Sequence, residues 1–139
     1  MADWAAGLAA LTQGRLAEAG SAFDAAHASL QRLGRHHEAA QTRVPRMIVF
    51  SVLGQHDEAR ACGEAALSAF VAAGDERSAG KVQLNLGTML TQRDRNAEAA
   101  TLFRQAAVRA ARAGDRELSI RADIALANAL AWQHDFDEA

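Results

Sequence analysis

The 139-residue chain has no tyrosine, one proline and one cysteine. Few of its residues are β-branched, and much of its 50% hydrophobic content is alanine. That composition disfavours strands and favours helix, because alanine loses no side-chain entropy there and lets helices approach closely. The lone Cys62 cannot form an internal disulfide, so no oxidising compartment is required. The 15 basic and 17 acidic side chains are interspersed, for a net charge of −2. No basic stripe is present to neutralise phosphates, so nucleic acid is not an expected partner. Met1-Ala2-Asp3-Trp4 lacks the basic region that opens a signal peptide, and no apolar run is long enough to span a bilayer. These absences leave an all-helical, cytoplasmic protein as the expectation, with no membrane partner.

What is present is a repeat. Glu18-Ala19, Glu58-Ala59, Glu98-Ala99 and Glu138-Ala139 recur every 40 residues, as do Gly34, Gly74 and Gly114, and Gly14 with Gly54. A period in this range marks a solenoid, whose units hide their apolar faces only against their neighbours. Such arrays present long continuous surfaces, which points to recognition of another protein or peptide rather than catalysis.

The punctuation divides the chain into helical segments near 3–13, 15–33, 35–53, 55–73, 75–93, 95–113 and 115–133, with an eighth beginning at Asp135. The repeats read as 1–34, 35–74, 75–114 and a partial 115–139 of one solenoid. Val82, Leu84, Leu86, Met89 and Leu90 crowd one broad helical sector, and so do Leu102, Phe103, Ala106 and Ala107. Gly34, Gly74 and Gly114 stand where a left-handed residue closes a helix. Asp75 and Asp115 follow as N-caps. Asp94 and His134 replace glycine at the turn inside later repeats; aspartate tolerates the left-handed region better than histidine does.

Small residues recur at two further positions, Ala19, Ala59 and Ala99, then Ala26, Ala66 and Ala106, as expected at close helix crossings. Phe23 and Phe103 plug the site between them. The second repeat has Gly63 there, and Cys62 with Leu67, or an inward tilt of the helix, is expected to fill the gap.

Asn85-Leu86-Gly87, followed by Leu90, Asp94, Ala99, Phe103 and Ala106, resembles the tetratricopeptide (TPR) repeat. That family places an N-L-G segment on helix A and an A-x3-F-x2-A pattern on helix B. The first repeat follows it with Gly7, Gly14, Ala19, Phe23 and Ala26. The second departs, with Met47 at the helix-A glycine site and Pro45 beside it. The period exceeds the usual length of about 34 residues and is similar to the long-helix TPR variety of bacterial signalling proteins. Val44-Pro45-Arg46, Leu53-Gly54-Gln55-His56-Asp57-Glu58-Ala59 and Ala79-Gly80-Lys81-Val82 look like segments of the TPR arrays attached to CHAT-type caspase-like protease domains.

The resemblance implies an all-α, right-handed superhelix of TPR-like antiparallel helix pairs, about seven helices in all, with a truncated fourth repeat. It implies a scaffold or sensor that binds a partner segment on a concave face lined by the A helices. By register that face carries Trp4, Leu8 and Leu11, then Gln41, Val44, Ile48 and Val52. Lys81, Leu84, Asn85, Thr88, Thr91 and Gln92 continue it, and Arg121, Asn128 and Trp132 complete it. The face is apolar at one end and more polar at the other, which would suit an amphipathic segment with an acidic end. Leu84, Ile48 and Val44 could instead pack against neighbouring helices, and Lys81 and Arg121 could be solvated helix-start residues. The resemblance also admits a regulatory segment of a larger CHAT-type protease, or of a peptide-responsive signalling regulator.

Other chemistry is not expected. His36 and His37 are adjacent, so their side chains diverge on a helix and make a poor metal site. Cys62 and His56 lack facing spacing, and a buried inert thiol is the reading for Cys62. Gly80 and Gly87 lie within a helix, without the strand context of a phosphate loop. Asp57-Glu58 and Asp137-Glu138 are read as first-turn acids of B helices, where they offset the helix dipole. No cofactor, metal or catalytic activity is expected.

Two irregularities remain. Pro45 falls inside a helical segment, where a proline costs on the order of 3 kcal/mol, so a bend near Gln41-Thr42 or a break before Val44 is expected. At the far end Ile124, Leu126, Leu130, Trp132 and Phe136 lack an expected covering helix. Three arrangements would account for them: a longer array of which this is a fragment, self-association through the open end, or a slightly oily terminal helix.

Overall fold

The computed structural model describes residues 14–138, with side chains as far as Gln133. All regular structure among the described residues is helical: α1 (Leu16–Arg32), α2 (His36–Val52), α3 (His56–Ala72), α4 (Glu76–Thr91), α5 (Asn96–Ala113) and α6 (Arg116–Glu138). The bounds fall within about two residues of the sequence-based segments, apart from the end of α6. The segment expected over 3–13 lies outside the described residues. The helices form two compact units, Met1–Ala73 and Gly74–Ala139. In the first, α2 packs against α1 and α3; in the second, α5 packs against α4 and α6.

One device ends the helices repeatedly. At the end of α1 the Gly34 amide donates to the Gln31 carbonyl at 3.0 Å and the Arg35 amide to the Leu30 carbonyl at 2.9 Å. This pair of bonds consumes carbonyls that would otherwise be orphaned, and it requires a residue at positive φ. Gly34, Gly54 and Gly114 supply it with φ of 71°, 77° and 67°, and Asp94 adopts 59° at the equivalent site. At the next helix starts, Asp75 accepts from the Ser78 amide at 3.1 Å and Asp115 from the Leu118 amide at 3.0 Å. Where the residue before the helix is arginine, an ion pair one turn on appears instead: Arg15–Glu18 at 2.6 Å, Arg35–Glu38 at 2.5 Å and Arg95–Glu98 at 2.7 Å.

His134 does not turn the chain. The expected break there is absent, and α6 runs 23 residues where α4 runs 16. Without glycine or aspartate to enter the left-handed region at low cost, continuing the helix is favoured. Asp137 and Glu138 therefore lie at the end of a helix, not in the first turn of a following one. Pro45 does not break α2 either, which continues from His36 to Val52 around it. Pro45 is buried, and the buried Thr42 hydroxyl donates to the Ala39 carbonyl at 2.6 Å in the turn before it.

The alanines expected at helix crossings are all buried. Between them, large and small residues face each other. In the second unit Phe103 seats its ring on Gly87: a Cβ there would come 2.4 Å from Phe103 Cε1 and 2.8 Å from Cδ1. In the first unit the sizes are exchanged. Gly63 takes the register position of Phe103, and Met47, fully buried, takes that of Gly87. Methionine bends to fill irregular space, and by register Met47 stands where its bulk would replace that of the phenyl. Cys62 is buried too, whereas Leu67 is only partly so.

Two outcomes test these assignments. Gly87→Ala gains up to about 1 kcal/mol of helix propensity, but overpacking against Phe103 costs roughly 1–3 kcal/mol. The variant should therefore unfold at lower denaturant concentration, and adding Phe103→Leu should recover part of the loss. Asp115 carries a carboxyl held below the ordinary aspartate range, chiefly by the Leu118 amide and further by Arg77 and Lys81. A depressed folded pKa stabilises above the unfolded pKa, and that stabilisation is lost as pH falls through the folded value. Asp115→Asn keeps the cap acceptor but not the charge. Its melting temperature should lie below wild type near neutrality and converge with it in acid; a difference independent of pH would contradict the charge assignment.

Candidate functional site

The A helices α2, α4 and α6 each leave one stripe outward. Gln41, Lys81 and Arg121 share a register position, as do Ile48, Thr88 and Asn128, and Val52, Gln92 and Trp132. All nine are exposed, although the helices that carry them differ in sequence and in packing. Residues spaced by seven and four positions line one side of a helix, so the three on each helix form a strip. Asn85, between Lys81 and Thr88, is half-buried. Thr88 donates its hydroxyl to the Leu84 carbonyl at 2.9 Å, and Thr91 donates to the Gly87 carbonyl at 3.0 Å. Trp4, Leu8 and Leu11 lie outside the described residues.

Leu84 does not belong to this surface. It is 5% exposed and lies in the core with Leu90, Phe103, Ala106, Leu118 and Ala122. Val44 is half-buried. The reason is rotational: these positions sit one step round the helix from the outward strip, towards the neighbouring helix.

Within the second unit the strips of α4 and α6 differ from that of α2 in chemistry. They carry Lys81 and Arg121, neither of which has an ion-pair partner among the described residues. Nearby charges are already matched: Arg77 meets Asp115 at 3.0 Å, and Arg109 meets Glu76 at 3.0 Å. In α2 the strip is Gln41, Ile48 and Val52, with no charge.

Sequence reasoning missed two polar clusters behind these strips. In the first unit Asp24 of α1 accepts from Arg43 at 3.2 Å and from Arg46 at 3.1 Å. Arg46 lies over the Phe50 ring, 3.9 Å from its centroid, and covers Gly20, where a Cβ would meet its guanidinium at 2.4 Å. Arg43 also donates to the Phe23 carbonyl at 3.1 Å. In the second unit the buried Gln83 donates to Gln105 at 2.8 Å and accepts from Arg109 at 3.0 Å. Neither cluster gave a signal in the sequence, because each joins side chains of two different helices.

The groups considered for chemistry have packing roles. Cys62 donates to the Arg43 carbonyl at 3.3 Å, and burial pushes its thiol up against the opposing pull of Arg43 and Arg46. His27 is pushed down by burial and then by Arg43, with Asp24 opposing. His36 pairs with Gln31 at 2.6 Å, while His37 stacks edge-on against Phe70 with centroids 5.7 Å apart. The two adjacent imidazoles thus serve different neighbours.

The division between strip and core is measurable. Leu84→Ala should destabilise the fold by about 2–5 kcal/mol. Thr88→Ala, on the strip, should stay within about 0.5 kcal/mol. Chemical denaturation of both variants distinguishes the two roles.

No helix of the described residues is long and apolar enough to cross a membrane. No curated protein matches the chain. Among solved structures, BtubC (BKLC) from P. vanneervenii has a similar fold, with a TM-score of 0.62 at 16% sequence identity. The likeness covers 91% of this chain and 59% of that one, so the chain spans under two thirds of the length of BtubC. The profile of the family described as soluble NSF attachment protein, SNAP, matches residues 6–139. With its helical repeats and a match over nearly its whole length, the chain belongs to the soluble NSF attachment protein (SNAP) family.

Proposed function

We propose that this chain is a non-catalytic protein-interaction scaffold whose A-helix strips hold a segment of a partner protein. The observation that carries this reading is the register-matched exposure of Gln41, Lys81 and Arg121, of Ile48, Thr88 and Asn128, and of Val52, Gln92 and Trp132. Together these positions give each A helix an outward surface of cationic, amide or apolar groups that a partner segment can contact. The family name describes an attachment protein, which agrees with a role in holding another protein.

The chemistry of the strips suggests the partner's character. Lys81 and Arg121 offer unpaired cations, and Asn85, Thr88, Gln92 and Asn128 offer amide and hydroxyl groups. A segment with an acidic face would form charge-assisted hydrogen bonds there. Ile48 and Val52 would suit the apolar residues of an amphipathic segment. Trp4 and Leu8 belong to the same reading by register alone. The buried Cys62 thiol, bonded to a carbonyl, agrees with a chain that does no covalent chemistry. A regulatory segment of a CHAT-type protease rests only on the short sequence resemblances.

Affinity capture with wild type, Lys81→Glu, Arg121→Glu and the distant control Arg32→Glu tests the charged part. Partner recovery should fall in the first two variants and hold in the control. Equal recovery in all four would remove Lys81 and Arg121 from the binding surface.

A further inference from the structure

The outer face of α5 differs in chemistry from those of the other B helices. Arg104, Gln105, Val108 and Arg112 are exposed there, and Arg109 is half-buried beside them. On α1 the same register positions hold Asp24, Ala25, Ala28 and Arg32, with Ser29 half-buried. On α3 they hold Glu64, Ala65, Ser68 and Ala72, with Ala69 half-buried. The pattern of exposure is identical on the three helices, so packing asks nothing different of α5. Helices that follow in the chain do not cover this face. α1 is followed by α2 and α3 within its own unit, and its Asp24, Ala25 and Ala28 are exposed all the same.

The larger side chains of α5 enclose a depression of about 300 Å³, lined by Arg104, Gln105, Val108, Arg109 and Arg112. Gln105, Val108, Arg109 and Arg112 follow the spacing i, i+3, i+4, i+7, the four corners of a hole that receives one side chain of a facing helix. Val108, 51% exposed, and the arginine stems give the hole an apolar lining. Its charge is unbalanced. Arg109 is matched by Glu76 at 3.0 Å, but neither Arg104 nor Arg112 has an ion-pair partner among the described residues. Arg112 lies in the last turn, where a cation offsets the helix dipole, as Arg32 does in α1. Arg104 is in mid-helix and has no such role.

We propose that the outer face of α5 docks an acidic helix of another protein, laid along α5 with one aliphatic side chain seated over Val108 and a carboxylate at each of Arg104 and Arg112. The two free guanidinium groups stem from positions eight residues apart, about 12 Å along the axis. A facing helix has the same rise, so it presents carboxylates at that interval with an apolar residue midway. Charge-assisted bonds from the guanidinium forks then hold both ends of the seated side chain. An anionic membrane fits less well. Segments that hold one by charge carry roughly 4–8 Lys or Arg, against two free arginines here, and the apolar side of α5 is turned to the core. The inference does not rest on the groove reading, because it uses a B helix and none of the strips on α2, α4 and α6.

Fluorescence anisotropy with a labelled helical peptide tests it. The peptide carries two glutamates at the spacing of Arg104 and Arg112 with a leucine midway, and a control peptide has glutamine in place of both. The wild type should bind the first peptide in preference to the second, and less tightly as salt is raised. Arg104→Glu and Arg112→Glu should each weaken binding by about tenfold or more, as each loses a charged hydrogen bond and adds a repulsion. Helix content by circular dichroism should be unchanged, because both sites are exposed. Arg104→Gln, a milder change, gives the readout if a glutamate variant loses helix. Lys81→Glu, on the α4 strip, should leave the peptide bound. A wild type that binds neither peptide or both alike, or binding undisturbed by Arg104→Glu, Arg112→Glu and Arg104→Gln, overturns the proposal. A loss in Lys81→Glu as large as in Arg104→Glu overturns it too, and puts the peptide in the groove. Binding to phosphatidylserine vesicles alone, abolished by Arg104→Glu, overturns it in favour of a membrane surface.

Discussion

Helix pairs in this chain are held at crossings where one side must be small for the other to be large. Phe103 on Gly87 is the clearest case, since the glycine leaves no room even for a methyl group. Flanking alanines at 99 and 106 are fully buried and bring the backbones close enough for that ring to matter. The first unit meets the same constraint with the partners exchanged, Met47 large and Gly63 small. What persists between repeats is therefore the summed volume at the crossing, as expected for interiors packed to a fixed density. The outward strips depend on this, because fixed crossings fix the rotation of every A helix and hence which residues point away.

Polar groups add direction to that packing. Gln83 is 3% exposed and would be costly without partners, yet it is matched by Gln105 and Arg109 on α5. Sliding α4 by one turn would keep apolar surface buried but break all of these bonds. Asp24 with Arg43 and Arg46 plays the corresponding part between α1 and α2, at a more solvated site. Buried polar groups that tolerate one register only make that register specific. The scaffold role proposed here benefits, since a binding strip is useful only if its residues stay aligned.

Helix boundaries were readable from the residues because they depend on local chemistry. Glycine enters positive φ freely and aspartate caps an amide, so both act without reference to the rest of the chain. The run-through at His134 belongs to the same logic, although a strict count of repeats hid it: the period called for a turn that histidine supports poorly. Rotation was harder to read. Leu84 and Thr88 are four residues apart, yet one is core and the other surface, because a neighbouring helix covers one flank of α4. Met47 was noticed as a departure from the repeat pattern, but its compensation for Gly63 needs knowledge of which residues oppose each other. Gln83 gave no sequence signal, since a glutamine in a helix reads as solvent-exposed until its partners on another helix are known.

The exchanged crossing makes the repeats unequal despite their common length. Excising one full period, residues 56–95, would keep the Gly54 turn and splice α2 directly ahead of α5. It would also bring Met47 opposite Phe103, two bulky side chains where one is accommodated. Excising residues 36–75 instead removes Met47 together with Gly63 and leaves Phe103 over Gly87, so the array can lose a whole A–B pair freely but a B–A pair only with a compensating glycine.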